Sequence, residues 1–362
     1  MFKNIFNIKL KKQPNKFLGI DIGSFAIKII EIGKKNNTFS LENYGELQIS
    51  TSEENSFREF KEDVLSLSNN EIAEAILAIL KEAKINTKDV NFSIPDFSSF
   101  FTVFNLPLMN KNEIQEAIKY EIRPYVPLPL SEITVDWNII EGKVGQTPLK
   151  VLGVAIPNNI ITQYQEIANL CNLTLHSLEP EVFSLGRSLN PLLVNSKQTI
   201  ALLDIGARST TFNIFEKGIL TISHSFNIGS NDLTERLVKS LNISYNEAEE
   251  IKKFYGLLPD KELDISIKDI LLPLIDVIIN EAKKVFREYF KQEGKEIEKI
   301  ILGGGSALLP GLKEYFLNET KKETEIANPF LSVAYNPILG DILKKNGPSY
   351  AVTVGLSLKG FE

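Results

Sequence analysis

The spacing of apolar residues along the chain alternates between the periods of helices and strands. Apolar side chains recur every three or four residues in several stretches, which predicts helices with one buried face. These helices are predicted over residues 71–83, 231–241, 245–255, 267–292 and 311–318. The fourth contains Pro273, and an alternative start lies at that proline. Apolar runs at 90–94 and 297–302 predict strands, so the pattern as a whole predicts α/β layers around a sheet.

A short motif occurs twice, far apart in the chain. Residues 17–24 read Phe-Leu-Gly-Ile-Asp-Ile-Gly-Ser, and residues 199–206 read Thr-Ile-Ala-Leu-Leu-Asp-Ile-Gly. A second β-rich run follows each copy and ends at Glu-x-Gly, at Gly33 in the first copy and at Gly218 in the second. An apolar run, a glycine corner and another β-rich run predict a hairpin. The chain is therefore predicted to contain two related halves, each opening with the same hairpin.

A segment of different character separates the two halves. Its predicted elements are strands at 100–106, 133–140 and 150–156, and helices at 111–121 and 159–169. This order predicts a small α+β subdomain inserted into the first half. The predicted organisation is a leader at 1–16, a first lobe at 17–96 and 174–196, an insertion at 97–173, and a second lobe at 197–362.

The two Asp-Ile-Gly corners carry residues suited to a phosphate and its metal ion. Glycine lets the main chain approach a ligand closely, and the N–H groups of a tight turn form an anion site. An aspartate repels phosphate, but it can hold the water shell of a Mg²⁺ ion that bridges phosphates. If the corners at Asp21 and Asp204 face each other, they would clamp a polyphosphate from both sides.

A triple glycine provides a third candidate element. Residues 300–311 read Ile-Ile-Leu-Gly-Gly-Gly-Ser-Ala-Leu-Leu-Pro-Gly, which predicts a strand, a glycine turn and a helix start. Bare backbone at such a turn lets a nucleoside and its first phosphate lie against the main chain near a helix N-terminus. The Walker A and Gly-x-Gly-x-x-Gly motifs are absent, which disfavours a P-loop or a Rossmann dinucleotide site.

Two hairpin corners followed by a glycine turn resemble the superfamily of actin, heat-shock chaperones, sugar kinases and FtsA. The resemblance implies an α/β, actin-like ATPase fold of two related lobes that binds ATP with Mg²⁺, the metal held through water by Asp21 and Asp204. The implied nucleotide-binding residues are Asp21, Gly23, Ser24 and Phe25 in the first corner, Asp204, Gly206, Ala207, Arg208 and Ser209 in the second, Gly303, Gly304, Gly305 and Ser306 in the adenosine loop, and Glu249 and Lys252 on the helix that flanks the base and ribose. A Glu–Lys pair at this spacing is also common on the surface of ordinary helices.

The chain is similar to one branch, the PilM family of type IV pilus assembly, over nearly its full length. The resemblance is carried by residues 113–130, 135–137, 178–181, 225–234 and 348–356. It implies a cytoplasmic protein that binds the short N-terminal cytoplasmic peptide of PilN. The pilus inner-membrane complex would hold the protein at the inner face of the cytoplasmic membrane, so that its membrane association is peripheral and runs through partners. The resemblance also implies self-association. The residues expected to contact the peptide are Tyr120, Pro124, Tyr125, Val126, Pro127 and Leu128. Core or turn packing is an alternative role for them.

Hydrolysis of ATP needs a group that orients the attacking water. Glu179 precedes Pro180, and this pair is similar to a Glu-Pro motif in heat-shock chaperones whose glutamate has that role. The alternative is a structural glutamate at the end of a strand. We expect slow or partner-gated turnover, with ATP acting mainly as a conformational ligand.

Composition excludes several other classes of function. The net charge of −6 argues against binding to nucleic acid. Cys171 is the only cysteine, so neither an intramolecular disulfide nor a cysteine-based zinc site is possible, and the two histidines lack metal-ligand spacing. The longest apolar run, 270–279, is far shorter than the ~20 residues that span a bilayer. Residues 1–12 are interpreted as a basic leader or a membrane-surface anchor.

Three alternatives remain open at the level of sequence. A cell-division filament protein like FtsA shares the nucleotide motifs, but FtsA proteins typically end in an amphipathic membrane helix, and this sequence ends at Glu362 without one. A small-molecule kinase needs a catalytic aspartate in the inserted region, where Asp96 and Asp136 are the candidates. A scaffold of actin-like shape would bind no nucleotide.

Overall fold

The computed structural model describes residues 14–48, 60–61, 64–65, 67–259 and 266–362, so residues 1–13 of the leader predicted at 1–16 lie outside the described residues. The chain forms two compact units. The described residues of the first lie within 1–48, 55–187 and 352–362, and those of the second lie within 188–351. Two boundaries differ from the predicted lobes: residues 188–196, predicted in the first lobe, belong to the second unit, and residues 352–362, predicted in the second lobe, belong to the first.

Helices and strands alternate through both units. The strands are β1 Lys16–Ile22, β2 Ala26–Lys35, β3 Thr38–Gln48, β4 Phe60–Lys61, β5 Val64–Leu65, β6 Asp89–Ile94, β7 Phe100–Leu106, β8 Ile133–Glu141, β9 Leu149–Pro157, β10 Thr174–Pro180, β11 Thr199–Ile205, β12 Thr210–Glu216, β13 Ile219–Phe226, β14 Lys299–Gly303, β15 Glu323–Ile326 and β16 Val333–Ala334. The α-helices are α1 Asn69–Glu82, α2 Lys111–Ile122, α3 Asn158–Leu170, α4 Glu181–Ser188, α5 Asn190–Val194, α6 Ser230–Leu241, α7 Tyr245–Tyr255, α8 Ile267–Glu293, α9 Leu312–Thr320, α10 Gly340–Asn346 and α11 Ala351–Lys359.

The main sheet of the first unit has the strand order β3-β2-β1-β6-β10. Strand β1 runs antiparallel to β2 and parallel to β6, which is itself parallel to β10. Nearly every residue of β1 and β6 is buried, as expected for strands covered on both faces. Helix α1 covers one face with Ile72, Ile76 and Ile79. It begins at a capping box in which the Glu71 main-chain N–H donates to Ser68 and the Glu71 carboxylate accepts in return.

The sheet of the second unit repeats this arrangement. Its strand order is β13-β12-β11-β14-β15, with β11 antiparallel to β12 and parallel to β14. The register of the leading hairpin is also the same. Asp21 lies opposite Lys28 and Asp204 lies opposite Thr211, so each aspartate faces the residue seven positions later (28 − 21 = 211 − 204). The two related halves of the predicted α/β fold are confirmed.

Helix α8 is the longest described helix and begins before the proline inside it. Ser266 accepts a hydrogen bond from the main-chain N–H of Asp269 and caps the helix, which then continues through Pro273. The alternative start at Pro273 is therefore wrong. A proline in the second turn removes one main-chain hydrogen bond, and the apolar face of α8 offsets this loss by packing on the second sheet with residues such as Ile275, Ile279 and Ala282.

The predicted insertion contains a separate small sheet. Its strand order is β7-β9-β8, all antiparallel, and α2 packs on it through Ile114 and Ile118. Helix α3, which the sequence placed in the same subdomain, shares its core with α1 and the main sheet instead. The reason is its apolar stripe, in which the Tyr164 ring lies edge-on against Phe92 of β6 at 5.9 Å between centroids. None of the described helices has both the length and the hydropathy needed to cross a bilayer.

Candidate nucleotide site

The first corner lies at the end of β1. Asp21 is buried, and its Oδ1 accepts a hydrogen bond from Ser93 Oγ on the neighbouring strand β6 at 2.6 Å. The main-chain N–H of Gly23 donates to the carbonyl oxygen of Ala26 at 3.0 Å and closes the turn. A Cβ on Gly23 would lie 2.9 Å from that oxygen, so a larger residue would open the corner. Ser24 within the turn is buried, and Phe25 beside it is half-buried.

The second corner, at the end of β11, closes in the same way. The main-chain N–H of Gly206 donates to the Ser209 carbonyl oxygen at 3.0 Å, again from the glycine to the residue three positions later. Ala207 and Arg208 form the tip and are half-buried. Helix α6 starts directly behind this tip, because the N–H groups of its first two residues, Ser230 and Asn231, donate to the carbonyl oxygens of residues 206 and 207 at 2.9 and 2.8 Å. The start of α6 thus fixes the main chain of the corner.

The triple-glycine turn packs against the second corner. Gly303 ends β14 opposite Asp204 in the parallel register. Gly304 has φ +81°, and a Cβ there would lie 2.4 Å from Asp204 Oδ1 and 2.5 Å from the Ile205 carbonyl oxygen. Only glycine permits both this conformation and this approach. The structure therefore brings together two of the elements that the sequence singled out, Asp204 and the glycine turn.

The residues after Gly304 form a cradle with an orphaned polar atom. A Cβ added to Gly305 would meet nothing within 4 Å. The side chain of Ser306 is 8% exposed, and its Oγ has no hydrogen-bond partner among the described residues. A buried hydroxyl without a partner is costly, so it indicates a position where a ligand supplies the missing group.

Lys252 and Glu249 on α7 form a buried polar cluster with the start of α6. Lys252 is 4% exposed, and its Nζ donates to Glu249 Oε2, Thr234 Oγ1 and Ser230 Oγ, each at 2.6 Å. Burial lowers the pKa of Lys252 despite the nearby carboxylate. Burial also opposes the charge on Glu249, but the Lys252 ammonium outweighs it and holds the pKa of Glu249 below its ordinary value. Protein acceptors occupy the ammonium, so Lys252 clamps α6 to α7.

The far end of α7 contacts the glycine turn. The main-chain N–H of Leu257 donates to the Pro310 carbonyl oxygen at 2.7 Å. Gly256 has φ +52°, and a Cβ there would lie 2.5 Å from the same oxygen. Helix α7 therefore connects the segment behind the second corner with the segment after the glycine turn.

Glu179 is the second-last residue of β10, and both of its carboxylate oxygens have hydrogen-bond partners. Both of its carboxylate oxygens accept hydrogen bonds from the Arg187 guanidinium, with Nη2 to Oε2 at 3.0 Å, and Oε1 also accepts from Ser184 Oγ. The residue opposite Glu179 on β6 is Ser93, which donates to Asp21. Glu179 thus lies at the same sheet edge as the first corner, in a structural ion pair.

Both aspartates proposed as candidates for a kinase are buried, and each accepts a hydrogen bond from a main-chain N–H group. Asp96 Oδ1 accepts from the Val182 N–H at 3.0 Å, in the first turn of α4. Asp136 lies on β8, and its Oδ1 accepts from the Trp137 N–H at 2.8 Å. A catalytic base must reach an acceptor hydroxyl, whereas each of these carboxylates holds a main-chain N–H group in this structure.

The six residues expected to bind a peptide divide into two groups. Tyr120 and Tyr125 are 74% and 56% exposed, and Pro124 and Pro127 are exposed beside them. Val126 is 8% exposed and belongs to the small core that also contains Ile122, Ile133 and Ala155, against which Leu128 is partly packed. Val126 therefore packs in this small core, and its contact with a peptide stays a prediction.

Three residues outside the predicted motifs also contact the corners or Glu179, namely Ser93, Gly229 and Arg187. Ser93 alternates with apolar residues in β6, where Asp89 and Asn91 are polar too, so the strand pattern alone does not distinguish it. Gly229 precedes α6, and a Cβ there would lie 2.6 Å from the Ala207 carbonyl oxygen. Arg187 is the only cation of helix α4, and its partner could not be read from the spacing.

The residues present fit a nucleotide with its metal ion. The glycine turn offers open space at Gly305 and an unpaired hydroxyl at Ser306, beside the carboxylate of Asp204. Among the described residues no three His, Cys, Asp or Glu side chains cluster as a ligand set. A Mg²⁺ ion at this corner would therefore take its remaining ligands from phosphate oxygens and water.

Comparison with known proteins gives a family and a fold. The family model described as type IV pilus assembly protein PilM matches residues 19–361. Cell division protein FtsA of Staphylococcus epidermidis is 22% identical over 356 residues, which covers 88% of this chain and 75% of FtsA.

Two solved structures resemble the whole chain. The first is the PilM-PilN type IV pilus biogenesis complex, with a TM-score of 0.85 and 23% identity over 97% of this chain and 100% of the other. The second is MreB5 of Spiroplasma citri bound to ADP, with a TM-score of 0.56 and 14% identity over 97% of each chain. These likenesses confirm the predicted actin-like fold.

Proposed function

Because the chain belongs to the type IV pilus assembly protein PilM family, we propose that it is the ATP-binding, actin-like component of a pilus assembly platform. In this role it binds the cytoplasmic N-terminal tail of PilN and lies at the inner face of the cytoplasmic membrane through that partner. Self-association is a further expectation of the same proposal. The observation that carries nucleotide binding is the glycine turn packed on Asp204, with open space at Gly305 and an orphaned hydroxyl at Ser306.

The site residues receive the following roles. The N–H groups of the second corner bind phosphate, and Asp204 holds Mg²⁺ through water. The nucleoside lies over Gly305, and Ser306 Oγ bonds to it. Lys252 and Glu249 support the corner through α6, which replaces the direct contact with base and ribose that the sequence implied. The first corner, with Asp21, is proposed to bind phosphate in the same manner. That both corners act on one nucleotide stays a prediction.

Nucleotide binding is supported by a solved structure of the same fold, since MreB5 of Spiroplasma citri is bound to ADP. The proposal can be tested by titrating ATP with Mg²⁺ into Gly305→Val. Because a Cβ at Gly305 meets no atom within 4 Å, the variant should fold normally and fill the cradle, so ATP affinity should fall at least about tenfold. The matched control is Gly340→Val, because Gly340 also has open space around its Cβ and lies elsewhere in the same unit. Equal ATP affinity in both variants would refute the proposed nucleoside position.

Binding of PilN is supported by the exposed aromatic residues Tyr120 on α2 and Tyr125 in the turn after it, and by the solved PilM-PilN complex. We expect Tyr120→Ala and Tyr125→Ala to weaken binding of a synthetic PilN N-terminal peptide, since each removes an exposed anchor. Phe254→Ala is the control, because Phe254 on α7 is also 74% exposed. Val126→Ala should lower stability, since Val126 packs in the small core with Ile122 and Ile133. Unchanged peptide affinity in both tyrosine variants would move the peptide site elsewhere.

Slow or partner-gated ATP turnover is part of the proposal. It is supported by the ion pair that occupies Glu179, because a carboxylate held on both oxygens is poorly placed to orient water. A role as small-molecule kinase is disfavoured by the burial of Asp96 and Asp136. Phosphate release measured with and without the PilN peptide tests this part, and rapid release by the purified chain alone would contradict it.

A further inference from the structure

Arg187 on α4 bonds to two different parts of the first unit. Its Nη1 and Nη2 donate to the two carboxylate oxygens of Glu179 on β10. Its Nε donates to Glu362 Oε1 at 2.9 Å, and Nη1 also donates to the Gly355 carbonyl oxygen of α11 at 3.2 Å. The side chain is 16% exposed, so these contacts are sheltered from water. Arg187 therefore links the end of β10 to helix α11 and the residues after it.

The carboxylate that Arg187 holds lies beside the first corner. Glu179 is in register with Ser93, and Ser93 donates to Asp21 on the next strand. With strands about 4.8 Å apart, the main chain of Glu179 lies roughly 10 Å from that of Asp21. A glutamate side chain with a water molecule can bridge much of that distance. Glu179 is thus placed to serve a water molecule next to a phosphate at the first corner, provided that its oxygens are free.

Besides Glu179, helix α11 and the residues after it hold Arg187. A Cβ on Gly355 would lie 1.7 Å from the Ser184 carbonyl oxygen, so α4 and α11 are in direct main-chain contact. Arg187 is anchored at this crossing by the Gly355 carbonyl and by Glu362. Because these bonds fix the Arg187 guanidinium, its two donors to Glu179 stay in one position, and the bidentate pair then fixes the Glu179 carboxylate.

We propose that Arg187 is a positioning residue that withholds Glu179 from catalysis, so that basal ATP hydrolysis is slow. The inference rests on the proposed binding of ATP. In hydrolysis the water oxygen bonds to the γ-phosphorus, the bond from that phosphorus to the β–γ bridging oxygen breaks, ADP leaves, and a water proton passes to a base. Glu179 can orient that water and take that proton only when Arg187 releases at least one of its oxygens.

The test compares steady-state phosphate release by the full chain with Mg-ATP in the unaltered protein, Arg187→Gln, Glu179→Gln and the double variant. We expect Arg187→Gln to raise kcat at least about tenfold with little change in ATP affinity, because general-base catalysis contributes on the order of 100-fold or more. The double variant should lose that gain, since the released carboxylate is then absent.

A second variant is needed because Arg187→Gln leaves the buried Glu179 carboxylate without its cation and can misfold. Glu362→Ala keeps the buried pair and removes one anchor of Arg187, so we expect a smaller rise in kcat in the same direction. Unchanged kcat in both variants, or a gain that persists without Glu179, would overturn the role of Arg187. Failure of the unaltered chain to bind ATP would instead refute the nucleotide proposal itself.

Discussion

The Lys252–Glu249 cluster allows one prediction to be worked through in detail. Lys252→Met keeps the apolar stem of the side chain and removes the ammonium. Because Lys252 is only 4% exposed, the Glu249 carboxylate then loses its cation in a buried site. Removing one member of a buried ion pair costs about 3–5 kcal/mol. The start of α6 also loses the hydrogen bond from Lys252 Nζ to Ser230 Oγ. The main-chain N–H of Ser230 in turn donates to the Gly206 carbonyl oxygen of the second corner. The destabilisation should therefore be greatest in α6, α7 and that corner.

Hydrogen exchange followed by mass spectrometry is the suitable assay for Lys252→Met. A cost of about 3–5 kcal/mol corresponds to roughly two to four decades in the equilibrium for opening, which should appear as faster exchange in peptides from residues 230–255. The control is Glu249→Gln combined with Lys252→Met. Its neutral amide can still accept the Thr234 hydroxyl, so most of the loss should be recovered. Unchanged exchange in the single variant, or equal exchange in the two variants, would refute the reasoning.

The same pair predicts the direction of a pH effect. The pKa of Glu249 in the folded protein lies below its ordinary 4.5, because the Lys252 ammonium outweighs the effect of burial. The stabilisation is therefore present at neutral pH and is lost as the pH falls through the folded-state pKa. In Glu249→Gln this acid-dependent part of the stability of residues 230–255 should be absent.

Three further substitutions test other contacts. Gly355→Ala places a Cβ 1.7 Å from the Ser184 carbonyl oxygen, so we expect a loss of roughly 3 kcal/mol, measured as a lower Tm; an unchanged Tm would contradict the crossing. Ser93→Ala removes the donor to Asp21 and should cost about 1.5–3 kcal/mol in denaturant unfolding, whereas Ser93→Thr should cost less. Gly304→Ala is strained at φ +81° and should reduce ATP affinity at least about tenfold by calorimetry; full affinity would argue against the close packing of the turn.

Local patterns were sufficient to predict the elements of the fold. The apolar runs ending in Asp-Ile-Gly gave both leading hairpins, and their registers agree because the glycine corner fixes the turn length. Helix α7 matches its predicted bounds, since Ser244 and Glu247 form a capping box and Gly256 follows the last turn. Such signals lie within a few residues of the feature that they determine.

Features that depend on distant parts of the chain could not be predicted in this way. Glu179 pairs with Arg187, which is only eight residues further along the chain. The position of Arg187, however, is fixed by its bond to the Gly355 carbonyl oxygen on the distant helix α11. The burial of Val126 depends on Ile133 and Ala155, which only the strand pairing of the small sheet brings near. The spacing of Glu249 and Lys252 is that of an ordinary surface pair, and α6 is what buries them. Tertiary packing, rather than local preference, decides each of these roles.

The position of α11 has a consequence for how the polypeptide folds during synthesis. The Ser357 hydroxyl donates to the Phe17 carbonyl oxygen and accepts from the Ile32 N–H, and Asn91 donates to the Leu356 carbonyl oxygen. These bonds join β1, β2 and β6 to a helix that leaves the ribosome only after residues 188–351. The face of the first sheet that α11 covers therefore stays uncovered until residues 188–351 have been translated. We expect the nascent chain to depend on chaperones during this interval and to be protease-sensitive until α11 docks.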